Sequence, residues 1–259
     1  MPTDVLRQAE EARPPAIAAA EWRARVELAA CYRVFHVLGW TELIFNHITL
    51  RLDDATSAFL INPFGLNYDE VTATNLVKIS HDGVPLAPTR HAVNRAGFLI
   101  HSVVHSARPD ARCVMHTHTT AGMAIACKQG GLGHDDFYGA ELFGDVAYHD
   151  FEGITVHGDE GPRLAASLAD KRVLVLRNHG LLVTGTDVFN AFRWMWTLQR
   201  ACEVQLAAGS IPGANVALSD AVRRSCGTDA REFEPRESLE RMLFDSVLRR
   251  SGIGAEQLV

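Results

Sequence analysis

The chain has 259 residues, of which 47% are hydrophobic and 22% charged, and its formal net charge is −6. This is the composition of a soluble globular protein long enough to bury a substantial core. It has no dense Lys/Arg block and no run of 18 apolar residues, which argues against a nucleic-acid partner, an anionic-membrane surface or a membrane span. Five cysteines at 31, 113, 127, 202 and 226 are odd in number and lack C-x-x-C spacing. They predict a reduced, cytoplasmic setting without disulfides, with Cys113, Cys127 and Cys202 acting as small buried hydrophobes.

In chain order, residues 1–15 are polar, end in Pro14-Pro15 and read as a flexible arm without an export signal. Ala16 to Gly39 predicts an amphipathic helix, with Trp22, Val26, Ala29 and Val37 at helical spacing and Gly39 as its stop. Asn46 to Leu52 alternates polar and apolar, as a half-buried strand does, and Ala58–Asn62 returns after the Asp53-Asp54 turn as the second arm of a hairpin. Asn62-Pro63-Phe64-Gly65 is a tight turn whose glycine can bring backbone amides close to a ligand. Leu76 to Ile79 reads as a strand, and Ala92 to Ala107 as a helix carrying His101 and His105 on one face.

Val114 to His118 follows as a strand, and Thr119 or Thr120 caps a short helix through Cys127. Residues 129–133 read as a flexible joint. Strands are expected at Asp145–His149, Val173–Leu176 and Leu181–Val183, and a helix at Gly161–Ala169. A long helix from Thr186 or Asp187 to about Ala208 carries Phe189, Phe192 and Trp196 on one face and Trp194 on another, a pattern expected of a helix buried in an oligomer. Val222 to Arg231 reads as weakly structured and Pro235 to Arg250 as a charged amphipathic helix. The expected organisation is one domain at 16–209, with residues 210–259 as a helical tail packed on it or on a neighbouring subunit.

Ten of the twelve histidines fall between His81 and His179. His116 and His118, at i and i+2 on an extended strand, project from the same side. His179 lies 61 residues beyond His118, after the apolar run 173–176, at the end of another strand. Three neutral imidazoles with an open position describe a catalytic metal site, since structural zinc usually takes four protein ligands.

Asn46-His47-Ile48-Thr49, Asn62-Pro63-Phe64-Gly65, Arg108-Pro109-Asp110, His116-Thr117-His118 and Arg177-Asn178-His179-Gly180-Leu181 occur in the order and spacing of one family. From about Glu21 to Gly209 the chain resembles the class II aldolase/adducin family. The resemblance implies a single-domain α/β fold: a three-layer α/β/α sandwich with a largely antiparallel central sheet. It also implies a homotetramer with active sites at subunit boundaries. In the family's sugar-phosphate aldolases and epimerases, three histidines matching His116, His118 and His179 hold a divalent ion. Zinc is expected first, with manganese or iron as alternatives. The ion stabilises the enediolate formed when a carbon–carbon bond breaks.

Two departures stand out. Gly97 occupies the position of the aldolases' acidic proton carrier, and Arg95 and Ala96 replace the hydroxyl residues that hold a substrate phosphate. Gly97 is expected to open volume beside the metal, room that a glutamate could refill. Arg95 could pair with a carboxylate. Tyr138, which resembles a tyrosine that acts from a neighbouring subunit, and the imidazoles of His101 and His149 are the candidate proton carriers. Asn46, Gly65 and Arg95 are the candidate substrate contacts. Asp69 and Glu70 are read as helix-start acids. The expected function is a metal-dependent lyase acting on a small hydroxy-carbonyl or carboxylated compound, by aldol cleavage or decarboxylation. The alternative is a non-catalytic module like the adducin head.

Overall fold

The computed structural model describes residues 4–52, 58–154, 158–233 and 239–259, excepting the side chains of 95, 96 and 158. The strands are β1 (His47–Arg51), β2 (Phe59–Ile61), β3 (Val77–Ile79), β4 (Cys113–Thr117), β5 (Val146–His149), β6 (Val173–Leu176) and β7 (Gly180–Gly185). They form one sheet in the order β3-β2-β1-β4-β7-β6-β5, with every neighbouring pair antiparallel except β5–β6. The helices are α1 (Asp4–Glu11), α2 (Ala19–Leu38), α3 (Arg95–Ala107), α4 (Thr120–Ala126), α5 (Phe137–Glu141), α6 (Gly161–Leu168), α7 (Val188–Gly209), α8 (Asp220–Glu232) and α9 (Leu239–Ser251).

Strand periodicity divides the core between the two faces of the sheet. Ile48, Leu50, Cys113, Met115, Val173, Val175, Leu181 and Val183 join the large cluster built with α2, α7 and α9. Val114, Leu174, Leu176 and Leu182, one residue out of phase, pack with Ile100 and Val104 of α3 and Leu164 and Leu168 of α6. The expected three-layer, largely antiparallel sandwich is the fold observed.

Covering both faces changes the meaning of β1. Its alternation predicts a strand with one wet side, yet His47 and Thr49 are buried. Their polar side chains face the histidines of α3. Polar alternation here marks a hydrogen-bonded interior, which the pattern alone does not distinguish from a solvated face.

The ends of the chain also depart from expectation. The segment read as a flexible arm contains α1, whose Leu6 and Ala9 are buried, and Trp22 Nε1 donates to Ala9 O at 3.0 Å. Residues 129–133 are pinned rather than loose: Gln205 donates to Gly131 O at 2.9 Å and accepts from Gly133 N at 2.7 Å. The stretch read as weakly structured is α8, capped by Ser219, which accepts from Val222 N. Its polar composition hides a docking role, since Arg193 of α7 donates to Ala230 O. Of the last predicted helix, residues 234–238 lie outside the described residues. From Leu239 onward α9 packs on α7 of the same chain, Phe244 meeting Phe189 and Phe192 at ring separations of 5.2 Å.

Trp194 needs no second copy to bury it. It lies between the guanidinium groups of Arg172 and Arg193, at 4.9 and 4.5 Å from the ring centre, and is 2% exposed within one chain. Cys127 is exposed rather than buried, while Cys113 and Cys202 are buried as expected. Among the described residues no helix is long and apolar enough to cross a membrane.

If α1 is an integral part of the core, Leu6→Ala will lower unfolding stability by about 2–4 kcal/mol in chemical denaturation. An undocked arm would leave the midpoint unchanged.

Candidate metal centre and active site

The β4–β7 ladder pairs Thr117 with Leu181 and His116 with Leu182. This register sets the end of the H-x-H strand against the turn that delivers His179. The turn needs a sharp reversal, which Asn178 supplies by adopting a left-handed φ of 55°, a conformation that asparagine tolerates better than most residues. Asn178 N donates to Ala126 O at 3.1 Å and His179 N to Leu176 O at 3.0 Å. Gly180 is required by space: a Cβ there would lie 2.5 Å from Thr117 O and 2.9 Å from the His118 ring. Arg177 of the same motif is structural, donating to Lys128 O and Gln129 O and stacking 4.4 Å from the Tyr148 ring centre.

The result is a convergence of His116, His118 and His179. One ring nitrogen from each lies within 4.8 Å of the others. His116 Nδ1 is 2.9 Å from Leu181 O. Because a carbonyl only accepts, that nitrogen carries the proton and leaves Nε2 as a lone pair. His116 Nε2 and His118 Nε2 are 2.8 Å apart, hydrogen-bonding distance for a proton carried by His118, which a bound cation would displace. Burial, followed by the neighbouring imidazoles, holds His116 well below the usual histidine range. Burial and then His118 bring His179 down to about 4. Burial lowers His118 too, partly opposed by Glu42. Neutral rings with lone pairs facing one point are the donor set a divalent cation takes, so these residues fit the metal that the sequence implies.

The three rings open into a cavity of about 480 Å³ whose wall also includes Phe64, Asn94, Gly97, Phe151 and Glu42. His47 completes it. In the β1–β4 register His47 stands directly opposite His116, and their ring centres are 5.4 Å apart. Gly97 therefore does not leave open volume beside the centre. A Cβ at 97 would come 2.5 Å from His47 Cε1 and 2.7 Å from Nδ1. The expected space for a glutamate is filled by an imidazole from the adjacent strand.

The other candidates are placed as follows. His101 is completely buried behind His47, with Nδ1 2.7 Å from Thr49 Oγ1 and the two rings 4.1 Å apart. His149 is buried at the end of β5, 3.0 Å from Ser167 Oγ and 3.2 Å from Glu160 Oε1. Neither is part of the cavity wall. Tyr138 lines a separate apolar groove with Trp196 and Leu243, with the Arg200 guanidinium 5.6 Å from its ring centre. One chain does not bring it to the histidines. Asn46 donates from Nδ2 to His116 O at 3.3 Å and braces the ligand strand. Gly65 has a φ of 98°, which favours glycine, and its neighbour Phe64 rather than Gly65 itself reaches the cavity. The Arg95 side chain lies outside the described residues. Glu70 accepts from Asn67 N in a capping box, as a helix-start acid does.

Sequence reasoning passes over His47, Asn94 and Glu42. The signal for His47 is the glycine at 97, whose missing side chain makes room for the imidazole beside Asn46.

The fold has close counterparts. The model of the class II aldolase and adducin N-terminal domain matches residues 26–206. The chain belongs to the class II aldolase and adducin family. It is 44% identical over 210 residues to a Pseudomonas aeruginosa protein provisionally named a class 2 aldolase, covering 81% of this chain and 78% of that one. It is 42% identical over 238 residues to mouse alpha-adducin, covering 87% of this chain but only 32% of the adducin. Among solved structures, an L-fuculose 1-phosphate aldolase from Glaciozyma antarctica PI12 superposes with a TM-score of 0.77 at 27% identity, covering 94% of this chain and 96% of that one.

Two predictions follow from this packing. Gly97→Ala will force the His47 ring aside and cost about 1–3 kcal/mol of stability, read from denaturation midpoints. A midpoint equal to wild type would mean the ring has room to spare. The second concerns acid. Burial lowers His47 to about 4 and His105 to about 3, whereas unfolded histidine titrates near 6.5. Between about pH 6.5 and 4 the unfolded chain binds more protons, so stability is complete above 6.5 and is lost as pH falls. The urea midpoint at pH 5 should lie clearly below that at pH 7.5; equal midpoints would contradict the burial of these rings.

Proposed function

We propose that this chain is a metal-dependent lyase that breaks a carbon–carbon bond in a small hydroxy-carbonyl or carboxylated compound. The observation that carries this reading is the convergence of three neutral imidazoles on one point at a cavity. His116, His118 and His179 would hold the ion, zinc ahead of manganese or iron. When bound, such a cation supplies Lewis-acid stabilisation where negative charge develops beside a carbonyl. The His116 contact to Leu181 O fixes its tautomer and so presents a lone pair before any ligand arrives. Phe64 and Phe151 give the cavity wall beside the histidines an apolar part.

Two features favour decarboxylation, or cleavage of an unphosphorylated compound, over aldol chemistry on a sugar phosphate. Decarboxylation needs a charge sink and a later proton donor but no base to begin. Here the acid's place is taken by Gly97 and His47, and the hydroxyl pair by Arg95 and Ala96. Arg95 is retained as a carboxylate partner in this proposal, with Asn46 and Gly65 as candidate substrate contacts. Tyr138 would serve as proton carrier only from a neighbouring copy, consistent with a homotetramer that has sites at its boundaries. His101 and His149 are weaker candidates for that role, since neither reaches the cavity wall. The proposal keeps a reduced cytoplasmic setting, supported by five cysteines that are all free.

The similarity to alpha-adducin favours a second reading, a non-catalytic interaction module. Metal content separates the two. Purified protein should contain about one divalent ion per chain, and His118→Ala should lose it while keeping the wild-type circular dichroism spectrum. Wild-type protein that takes up no ion from zinc, manganese or iron would favour the module. In the metal-loaded protein, Arg95→Ala should weaken binding of carboxylated compounds more than of neutral ones. Equal effects would remove Arg95 from the site.

A further inference from the structure

Behind the three-histidine centre lies a second group of imidazoles whose proton positions can be worked out from their partners. His105 Nδ1 is 2.7 Å from Ala111 O, so Nδ1 is protonated and, in the neutral ring, Nε2 is a lone pair. That lone pair is 2.7 Å from Thr49 Oγ1, which must donate to it. The hydroxyl has only one proton, so at its 2.7 Å contact with His101 Nδ1 it accepts. His101 is thereby Nδ1-protonated, and its buried Nε2 is a lone pair without a hydrogen-bond partner. The donors run one way, from the ring that backs His47, through Thr49 and His105, to the accepting carbonyl of Ala111.

The His47 ring lies beside that of His101, with ring centres 4.1 Å apart. It is 3% exposed, and neither of its ring nitrogens makes a hydrogen bond of normal geometry. Backbone groups of Phe45 and Gly97 lie near enough to offset a little of the effect of burial. A buried polar ring without partners costs free energy in proportion to what it fails to bond, and this one is part of the cavity wall beside His116, His118 and His179. Its nitrogen-bearing edge is turned toward Gly97, where an added Cβ would come 2.5 Å from Cε1, and its ring packs beside that of His101. In either neutral tautomer of His47 one ring nitrogen carries the proton and the other is an acceptor, and neither has a protein partner.

We propose that His47 is a ligand-contacting residue: its imidazole accepts a hydrogen bond from a hydroxyl group of a compound chelated at the three-histidine centre. This assignment rests on the metal-centre reading above and narrows it. The compound carries a donor hydroxyl adjacent to its chelating oxygens, so a hydroxylated acid or ketone is selected over its deoxy or O-methyl counterpart. Thr49 and His101 act through His47 as positioning residues.

The test uses zinc-loaded full-length protein and three chelators that share one zinc-binding group: acetohydroxamate, glycolohydroxamate and methoxyacetohydroxamate. Calorimetric titration should give glycolohydroxamate about a five- to tenfold lower Kd than acetohydroxamate, the yield of one hydrogen bond. The methoxy compound, which cannot donate, should gain nothing. In His47→Phe the preference should vanish while zinc content and acetohydroxamate affinity stay within about twofold of wild type. A measurement without any variant guards against misfolding of that protein. In the 15N-histidine NMR spectrum of wild type, the lone-pair nitrogen of His47 should shift by several ppm with glycolohydroxamate and not with acetohydroxamate.

If zinc and acetohydroxamate bind but the hydroxyl preference is absent, or survives in His47→Phe, the role of His47 is overturned and the metal centre stands. If the methoxy compound binds as well as the hydroxylated one, or the His47 resonances do not move, the acceptor role is likewise overturned. If wild type binds no zinc, the two readings fall together.

Discussion

The antiparallel pairing of β4 with β7 is the constraint from which the site follows. It runs through the middle of the sheet, with Thr117 opposite Leu181 and His116 opposite Leu182. A shift of one residue would send His116 and His118 to the face packed by α2 and α7, and would carry Leu181 and Val183 out of the main core. Register is therefore enforced by the apolar packing on both faces of the sheet, and the histidines inherit their positions from it. The same logic extends one strand further: β1 sets His47 opposite His116 because Ile48 and Leu50 must face the large cluster. A chemistry-bearing group held this way is positioned by the core's aversion to water and needs no strong bond of its own.

Much of this was legible in the residues. The H-x-H spacing and the His179 turn carry their geometry openly, because strand alternation and a strand-ending motif are local properties. The single-domain sandwich is legible through the ordered motifs from Asn46 to Leu181. Where the reading failed, the cause was non-local. Gly97 looks like a vacancy in one dimension, and only the neighbouring strand reveals that the His47 ring fills it. Arg193 and Arg172 bury Trp194 from positions that periodicity cannot connect to it. Residues 220–232 are polar enough to suggest loop, yet they form a capped helix because α5 offers them a surface. Leu6 and Ala9 are two apolar residues in a polar segment, too few to signal a helix that docks.

Concentrating imidazoles in a dry interior is costly, and the fold meets that cost by keeping them neutral. His47, His101, His105 and His116 are each below 4% exposed, and in each the first cause of the lowered proton affinity is burial. Neutral rings can approach one another closely, as the 4.1 Å separation of His47 and His101 requires, whereas two imidazolium ions at that distance would repel strongly. Burial thus makes the cluster possible and keeps its lone pairs free of protons.

The cavity wall is assembled from two kinds of structure. The histidines stand on central strands with neighbours on both sides, but Phe151 and Gly153 follow β5, an edge strand bonded only to β6. Gly153 adopts a φ of 107°, and a Cβ added there would meet nothing within 4 Å. The rim is thus fastened along one side and borders open space, so length and composition can change there without transmitting strain to the centre of the sheet. Residues of this rim can change without moving the histidines, which the central strands hold in place.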